Sequence, residues 1–150
     1  MKFQHILVPV DFSEHSIAAL KTAGVLAQQL NGAMTLLYVL PPLVVMQGDL
    51  GPFAMPPAII PVEPERTEAI DTELKALSVH VPSGVAMNTI VRESHPWPGI
   101  CDTAKELNVD MIIIASHGYT GLKRMMLGST AEQVVRHAHC PVLVVKSFEA

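Results

Sequence analysis

Short runs of aliphatic residues alternate along the chain with segments in which apolar residues recur every three or four positions. Runs of the first kind are typical of buried β-strands, and the second spacing is typical of amphipathic helices. The strands are predicted at 3–9, 33–40, 85–92, 110–116 and 141–146. The helices are predicted at 13–30, 64–79, 98–107 and 129–138. This alternation predicts an α/β fold whose mainly parallel sheet is covered by helices on both faces.

Residues 41–64 interrupt the alternation. The segment holds seven of the 12 prolines of the chain. Proline lacks a backbone N–H and is excluded from helix interiors, so the segment is predicted to be a long proline-rich loop. It is also rich in aliphatic residues, which indicates that it packs either against the rest of this chain or against a partner.

Composition limits the class of protein. A chain of 150 residues is expected to form one domain, spanning 1–150. With 49% hydrophobic and 16% charged residues it is not expected to be disordered, and a net charge of −4 argues against nucleic-acid binding. No apolar run is long enough to insert into a membrane, and the N-terminus lacks a secretory pattern. Cys101 and Cys140 show no metal-binding spacing, so we expect reduced thiols and a cytoplasmic location.

The segment after the fourth predicted strand is the strongest candidate for a binding site. In open α/β sheets, ligands bind beyond the carboxyl ends of the strands. Gly118 follows that strand, and Gly128, Ser129 and Thr130 open the next helix. Free N–H groups and the helix dipole make such a helix start a site for anions. The alternative is that Ser129 merely caps the helix, as the first residue of an S-x-x-E capping box.

Two other polar residues have open roles. Asp11 precedes the first predicted helix and is followed three residues later by Glu14, so it is either a helix N-cap or a ligand-binding residue. His117 lies beside Gly118 and is predicted either to contact phosphate or to hydrogen-bond the loop.

Several further features do not predict a site. His137 and His139 are two positions apart, so on a helix they point about 200° apart and cannot share a metal ion. Lys123 and Arg124 are more typical of a solvated loop face, and Trp97 of packing at a helix start. No Walker motif, dinucleotide-binding G-x-G-x-x-G or catalytic constellation is present.

Four strings in this order resemble the universal stress protein family over nearly the whole chain. They are I-L-V-P-V-D-F-S at 6–13, A-S-H-G-Y-T-G-L at 115–122, L-G-S-T-A-E at 127–132 and C-P-V-L-V-V-K at 140–146. The ATP-binding branch of that family carries G-x2-G-x9-G-[ST]. Gly118, Gly128 and Ser129 match this pattern, and Ala115 stands at the position of the first glycine.

The resemblance implies a doubly wound sheet of five parallel strands in the order 3-2-1-4-5. It implies ATP with Mg²⁺ as the ligand, with AMP and ADP as alternatives. Pro9, Val10 and Asp11 would meet the ribose and adenine, and the Val39 backbone would meet the adenine. The residues implied along the ribose and phosphates are Ala115, Gly118, Gly128, Ser129 and Thr130, to which we add His117 as a candidate.

The function implied is that of a nucleotide-responsive regulatory or stress-response protein. It would form a homodimer through the C-terminal strand at 141–146, or a tetramer. Slow ATP hydrolysis is the one enzymatic activity left open. The alternative is a nucleotide-independent dimeric protein-interaction module. An adenylate-forming enzyme is disfavoured because neither H-x-G-H nor S-G-G-x-D-S occurs in the chain.

Overall fold

The computed structural model describes residues 2–45, 56–118 and 126–147. A turn of 3₁₀ helix at Leu77–His80 follows the second helix. The strands and helices are, in chain order, β1 (His5–Pro9), α1 (Glu14–Leu30), β2 (Ala33–Leu40), β3 (Leu43–Val45), β4 (Ala58–Ile60), α2 (Pro64–Ala76), β5 (Met87–Glu93), α3 (Pro96–Glu106), β6 (Met111–Ala115), α4 (Ser129–His137) and β7 (Val142–Val145).

Five of the strands form one parallel sheet in the order β5-β2-β1-β6-β7. Counted along the chain without β3 and β4, this is the order 3-2-1-4-5, so the predicted fold class and topology are confirmed. The order places β1 in the centre, between β2 and β6, and leaves β5 and β7 at the two edges.

The two faces of the sheet bury separate cores, because successive strand side chains point in opposite directions. On one face, α1 and α2 cover a cluster that includes Ile6, Val8, Leu36 and Ile113. On the other face, α3 and α4 cover a cluster that includes Leu7, Leu37, Ile112 and Ile114. Strands with apolar side chains on both faces explain the continuous aliphatic runs in the sequence.

Two acidic side chains tie elements of this sheet together. The Asp110 carboxylate, just before β6, accepts hydrogen bonds from the backbone N–H groups of Gln4 and His5 at the start of β1, each at 2.9 Å. Arg92 of β5 donates to both carboxylate oxygens of Glu106, at 2.8 and 3.0 Å. These hydrogen bonds lower the pKa of the Glu106 carboxyl and raise that of the Arg92 guanidinium. The Arg92 contact holds α3 against β5.

Some predicted boundaries and faces are wrong. The third helix starts at Pro96 rather than at 98, because its first turn accommodates proline residues that need no N–H donor there. Leu30 and Val135 continue the apolar spacing of the first and fourth predicted helices, which is typical of buried positions, but they are 41% and 48% exposed. None of the helices in the described ranges is long and apolar enough to cross a membrane.

The proline-rich segment contains an element that the prediction of a loop missed. β3 and β4 pair as a short antiparallel ribbon, with Leu43 opposite Ile60 and Val44 opposite Ile59. These four side chains are between 44% and 69% exposed. The ribbon therefore does not bury them against the described part of this chain. Residues 46–55 of the predicted loop lie outside the described residues.

Truncating a buried side chain of β6 tests the two-sided core. Ile113 is 0% exposed, so Ile113→Ala leaves a cavity and is expected to lower the free energy of unfolding by about 2–5 kcal/mol. Val79 is 81% exposed, and Val79→Ala is expected to change it by less than about 0.5 kcal/mol. Urea denaturation followed by circular dichroism measures both, and equal losses would contradict the placement of β6.

Candidate functional site

A cavity of about 460 Å³ lies at the carboxyl ends of β1, β2 and β6. This volume falls in the range of about 300–1,000 Å³ that is usual for small-molecule sites. All ten candidate residues from the sequence line it: Pro9, Val10, Asp11, Val39, Ala115, His117, Gly118, Gly128, Ser129 and Thr130. The structure thus brings together residues from four separate parts of the chain.

The turn between β1 and α1 is held by a ring of hydrogen bonds around Asp11. Asp11 Oδ1 accepts from Ser13 N at 3.0 Å and from Ser13 Oγ at 2.5 Å. Ser13 Oγ in turn accepts from Ser16 N at 3.2 Å, so Ser13 is the N-cap of α1. The alternative that Asp11 caps this helix is therefore wrong. The Asp11 carboxylate instead accepts hydrogen bonds from the capping serine, and Asp11 lines the cavity.

Phe12 completes this turn in an unusual backbone conformation. Its φ of 64° lies in the left-handed region, which is uncommon for an aromatic residue. The ring packs against Tyr38 of β2, with centroids 5.3 Å apart. This ring contact and the hydrogen bonds of Ser13 together hold the turn in a conformation that directs Asp11 toward the end of β6.

Gly118 is required by its close approach to Asp11. A Cβ atom at Gly118 would lie 2.7 Å from Asp11 Oδ2, closer than atoms can pack. The Asp11 carboxylate therefore rests against the backbone that follows β6. Any side chain at this position would push the two apart.

Gly128, at the start of α4, also leaves little room for a side chain. Its Cβ would lie 3.0 Å from Ser116 O, and Gly128 N donates to that oxygen at 2.8 Å. Gly128 is also the N-cap, and it makes no side-chain capping bond. The alternative that Ser129 caps α4 is wrong, because Ser129 is the first residue inside the helix.

The first turn of α4 consequently presents backbone donors to the cavity. The first helical bond there runs from Glu132 N to Gly128 O, at 2.9 Å. The N–H groups of Ser129, Thr130 and Ala131 precede it and have no acceptor within the helix. All three residues line the cavity. Together with the helix dipole, they make this end of the cavity favourable for an anion.

Val39 supplies backbone hydrogen-bonding groups at the other end. The pairing of β1 with β2 stops at Pro9 and Leu37, where Val10 N donates to Leu37 O at 2.9 Å. Strand residues alternate in the direction of their N–H and C=O groups, so those of Val39 point to the same side as those of Leu37. On that side β1 has already ended, and Val39 faces the cavity.

Aliphatic side chains line the wall beside Val39. They come from β2, α3 and β6, and the sequence prediction missed them: Leu37, Pro96, Ile100 and Ile114. A Cβ at Gly99 would lie 3.0 Å from Val39 Cγ1, so α3 approaches β2 closely. These residues carried no local signal, since their spacing is equally that of core positions. Ser16 is a further lining residue that was missed, and its Oγ accepts a hydrogen bond from Asp11 N at 3.3 Å.

His117 satisfies one of its two predicted roles. Its Nδ1 shares a hydrogen bond of 3.0 Å with Ser116 Oγ. Its Nε2 is buried and has no hydrogen-bond partner within the described part of the chain. The ring therefore has one nitrogen fixed by its neighbour and a second still able to bind.

The remaining candidates lie apart from the cavity or outside the description. Lys123 and Arg124 fall outside the described residues. Trp97 packs at the start of α3 and stacks on His137, with ring centroids 4.5 Å apart. Burial raises the pKa of the free thiols of Cys101 and Cys140, which makes both poor nucleophiles at neutral pH.

Almost the whole sequence matches the model of one protein family. The model of the universal stress protein family matches residues 2–146. The chain belongs to the universal stress protein family. The resemblance seen in the sequence is thereby confirmed.

Relatives in the family align over almost the full chain. Universal stress protein MJ0531 of Methanocaldococcus jannaschii is 32% identical over 148 residues, covering 96% of this chain and 82% of that protein. Universal stress protein YxiE of Bacillus subtilis is 33% identical over 148 residues, covering 96% and 99%.

Solved structures show the same fold. The structure of protein MJ0577 superposes with a TM-score of 0.75 at 26% identity and covers 100% of both chains. Universal stress protein UspA from Lactobacillus plantarum gives a TM-score of 0.69 at 25% identity, covering 97% of this chain and 99% of that one.

Ala115 is the position at which this universal stress protein departs from the glycine pattern. It is 7% exposed and belongs to the core cluster on the α1 face, together with Val8 and Val10. Its methyl group is thus mostly packed within the protein, and the replacement of glycine by alanine narrows the cavity little.

Serine-to-alanine substitutions at two helix starts test the difference between the capped and the uncapped end. Ser13→Ala removes the cap of α1 and a donor to Asp11, so we expect a loss of about 1–2 kcal/mol in the free energy of unfolding. Ser129→Ala removes no cap from α4, and we expect a change below about 0.5 kcal/mol. Chemical denaturation compares them. A loss at Ser129 as large as that at Ser13 would contradict the assignment of Gly128 as the cap.

Proposed function

We propose that this universal stress protein binds an adenine nucleotide, ATP with Mg²⁺, in the cavity and acts as a nucleotide-responsive regulator. ADP and AMP are the alternative ligands. The observation that carries the proposal is the uncapped start of α4, which lies at one end of a cavity whose other end is lined by Val39 and aliphatic side chains. An anionic group and a flat apolar group are thus accommodated in one site.

The apolar end suits an adenine ring. Adenine carries an acceptor nitrogen next to an exocyclic amino donor, and the N–H and C=O of a strand residue such as Val39 complement this pair. Leu37, Ile100 and Ile114 supply the surfaces on which a ring can stack. Asp11 lies between the two ends, where its carboxylate can accept from ribose hydroxyl groups.

The polar end suits the phosphates. Backbone N–H groups of the first turn of α4 can donate to phosphate oxygens, and the hydroxyl groups of Ser129 and Thr130 add side-chain donors. Mg²⁺ prefers oxygen ligands and usually binds through substrate phosphates and water, with only one or two protein groups. The oxygen-rich lining of Asp11, Ser129 and Thr130 fits that requirement.

Two more distant structures of the same fold were solved with adenine nucleotides. One universal stress protein is in complex with cAMP at 19% identity, with a TM-score of 0.64. A protein from Archaeoglobus fulgidus is in complex with dAMP at 20% identity, with a TM-score of 0.68. They support the view that this fold can hold such a ligand. For this chain, the support comes from its own cavity lining.

A regulatory role is favoured over fast catalysis. Within the described residues, the titratable side chains that line the cavity are those of Asp11, Tyr38 and His117. Ser116 Oγ is hydrogen-bonded to His117 Nδ1 at 3.0 Å, but no group in the described chain holds the other ring nitrogen, as an activated serine–histidine pair requires. Slow hydrolysis of ATP is compatible with such a site. The two free cysteines support the further proposal of a cytoplasmic location.

Thermal unfolding with and without Mg-ATP tests nucleotide binding. A ligand at about a hundred times its Kd should stabilise the protein by about 2.7 kcal/mol, or about 5–10 °C in Tm. Thr130→Glu places a negative charge in the first turn of α4, where it favours the helix but repels phosphate. We expect the variant to fold and to lose the shift.

Thr130→Gln is the matched control, because glutamine is similar in size to glutamate and carries no charge. This variant should retain a clear rise in Tm with Mg-ATP. Val79→Glu puts the same charge on a side chain that is 81% exposed and distant in the chain, and should behave as the parent. If the parent shows no shift and releases no nucleotide on denaturation, nucleotide binding is rejected.

We also propose that the protein forms a homodimer through 141–146, with a tetramer as the higher assembly. The support is that β7 lies at the edge of the main sheet, with no strand beyond it among the described residues. An unpaired edge invites pairing with another chain. Leu143 of β7 and Val135 of α4 are 37% and 48% exposed, as an apolar contact surface requires.

A lysine on the edge strand tests this assembly. Leu143→Lys places a charge in the contact and is expected to convert dimers to monomers in light scattering after gel filtration. Val79→Lys is the control and should leave the mass unchanged. A parent that is monomeric at micromolar concentration, or a Leu143→Lys variant that stays dimeric, would contradict dimerisation through β7.

A second candidate function is a nucleotide-independent protein-interaction module. The observation in its favour is the β3–β4 ribbon, with four exposed aliphatic side chains that nothing in the described chain covers. Contiguous exposed apolar surface commonly marks a site of protein contact. This function is compatible with an empty nucleotide site and becomes the leading one if the thermal-shift experiment fails.

A further inference from the structure

Two histidine rings lie near each other beside the end of the cavity that is formed by the start of α4. His117 follows β6, and His15 is the second residue of α1. Their ring centroids are 6.1 Å apart, with an angle of 52° between the planes. His15 Nδ1 is hydrogen-bonded to Ser147 Oγ, beyond the end of β7. The pair thus joins three elements, and only His117 lines the cavity.

The hydrogen bonds leave one nitrogen of His117 for a ligand. Nδ1 is engaged by Ser116 Oγ at 3.0 Å, whereas the buried Nε2 has no partner in the described chain. A buried nitrogen without a partner is costly and calls for an explanation. A neutral ring can offer a phosphate oxygen at most one N–H, whereas a protonated ring donates from both nitrogens and adds a positive charge.

His117 lies at the end of the cavity that favours an anion. His117 Cα is 3.5 Å from the position of a Cβ on Gly128, so it lies against the positive start of α4. His15 occupies the first turn of α1, and its ring lies beside that of His117. An anionic phosphate at the start of α4 would attract a protonated ring, because the two charges are opposite.

Besides Asp11, other charged groups lie on the described parts of the elements that pack around His117. Asp11 lines the same cavity and its carboxylate favours the protonated ring, but Ser13 already donates twice to it. In α4, Glu132 is paired with Arg136 at 2.8 Å. Glu14, at the start of α1, and Lys146, before Ser147, are exposed to solvent, which screens their charges.

The geometry points to His117 as the group that takes up a proton when a nucleotide phosphate binds, with His15 positioning its ring. This inference rests on the proposed nucleotide binding and gives that site a pH dependence. Histidine is the side chain that ordinarily changes charge near neutral pH. Because protonated His117 binds the anion better, affinity should rise as the pH falls from 8 to 6. The limit for one linked proton is about tenfold per pH unit.

Isothermal titration calorimetry with Mg-ADP tests the proton uptake. Titrations at the same pH in two buffers of different ionisation enthalpy count the protons taken up with each nucleotide. The parent should take up a measurable fraction of a proton near neutral pH, and His117→Gln should take up less and lose the corresponding part of the pH dependence. Protonation of the nucleotide itself is common to both proteins and cancels in the comparison.

His139→Gln is the matched control, because His139 is exposed and follows α4 away from the cavity lining. It should behave as the parent. His15→Gln should retain binding and shift the pH at which affinity changes. Equal proton uptake by the parent and His117→Gln overturns the inference while nucleotide binding stands. Absence of binding to the parent rejects both.

Histidine NMR signals of the parent give a readout that needs no variant to fold. The ring signal of His117 should move toward its protonated position on addition of Mg-ADP at constant pH near 7. That of His139 should not move. A His117 signal that titrates identically with and without bound nucleotide would contradict the coupling.

Discussion

The pairing of β1 with β6 in the middle of the sheet is the constraint on which the site depends. The chain leaves β1 for α1 on one face and leaves β6 for α4 on the other face. Two adjacent parallel strands whose connections diverge in this way leave a crevice beyond their carboxyl ends. Asp11 enters it from one side, and Gly118 and Gly128 from the other. Without this neighbour relation, residues more than a hundred positions apart would not meet.

The glycines of the family pattern have a structural role that is independent of any ligand. Gly118 makes room for the Asp11 carboxylate, and Gly128 makes room for the Ser116 carbonyl. Both contacts bring backbone to the same point in the crevice. The packing that the fold needs therefore also exposes the first N–H groups of α4 to the cavity. One set of small residues accounts for both the close packing and the anion-binding potential.

The five strands of the main sheet, the four α-helices and the fold class were predictable because the aliphatic runs and the helical spacing are strong and regular. The β3–β4 ribbon was not, because its prolines are typical of a loop. The element ends were less predictable, as Pro96 shows, because proline is compatible with a first turn as well as with a preceding loop. The sequence left capping open as an alternative role for Asp11 and Ser129, and that alternative was wrong at both. Asp11 and Ser129 each have the right residue type and spacing for a cap, but Ser13 and Gly128 hold those positions. Local sequence offers several residues capable of capping, and the path of the backbone selects among them.

The sequence by itself determined the α/β alternation, the glycine spacing and the family, because each is carried by residues close together in the chain. Only the tertiary structure decided which polar atoms face one another. The approach of Asp11 to Gly118, the aliphatic wall from α3 and the contact of His15 with His117 join residues that are distant in sequence. Such contacts depend on strand order and on the direction in which each helix crosses the sheet. Neither leaves a periodic signal in the residues themselves.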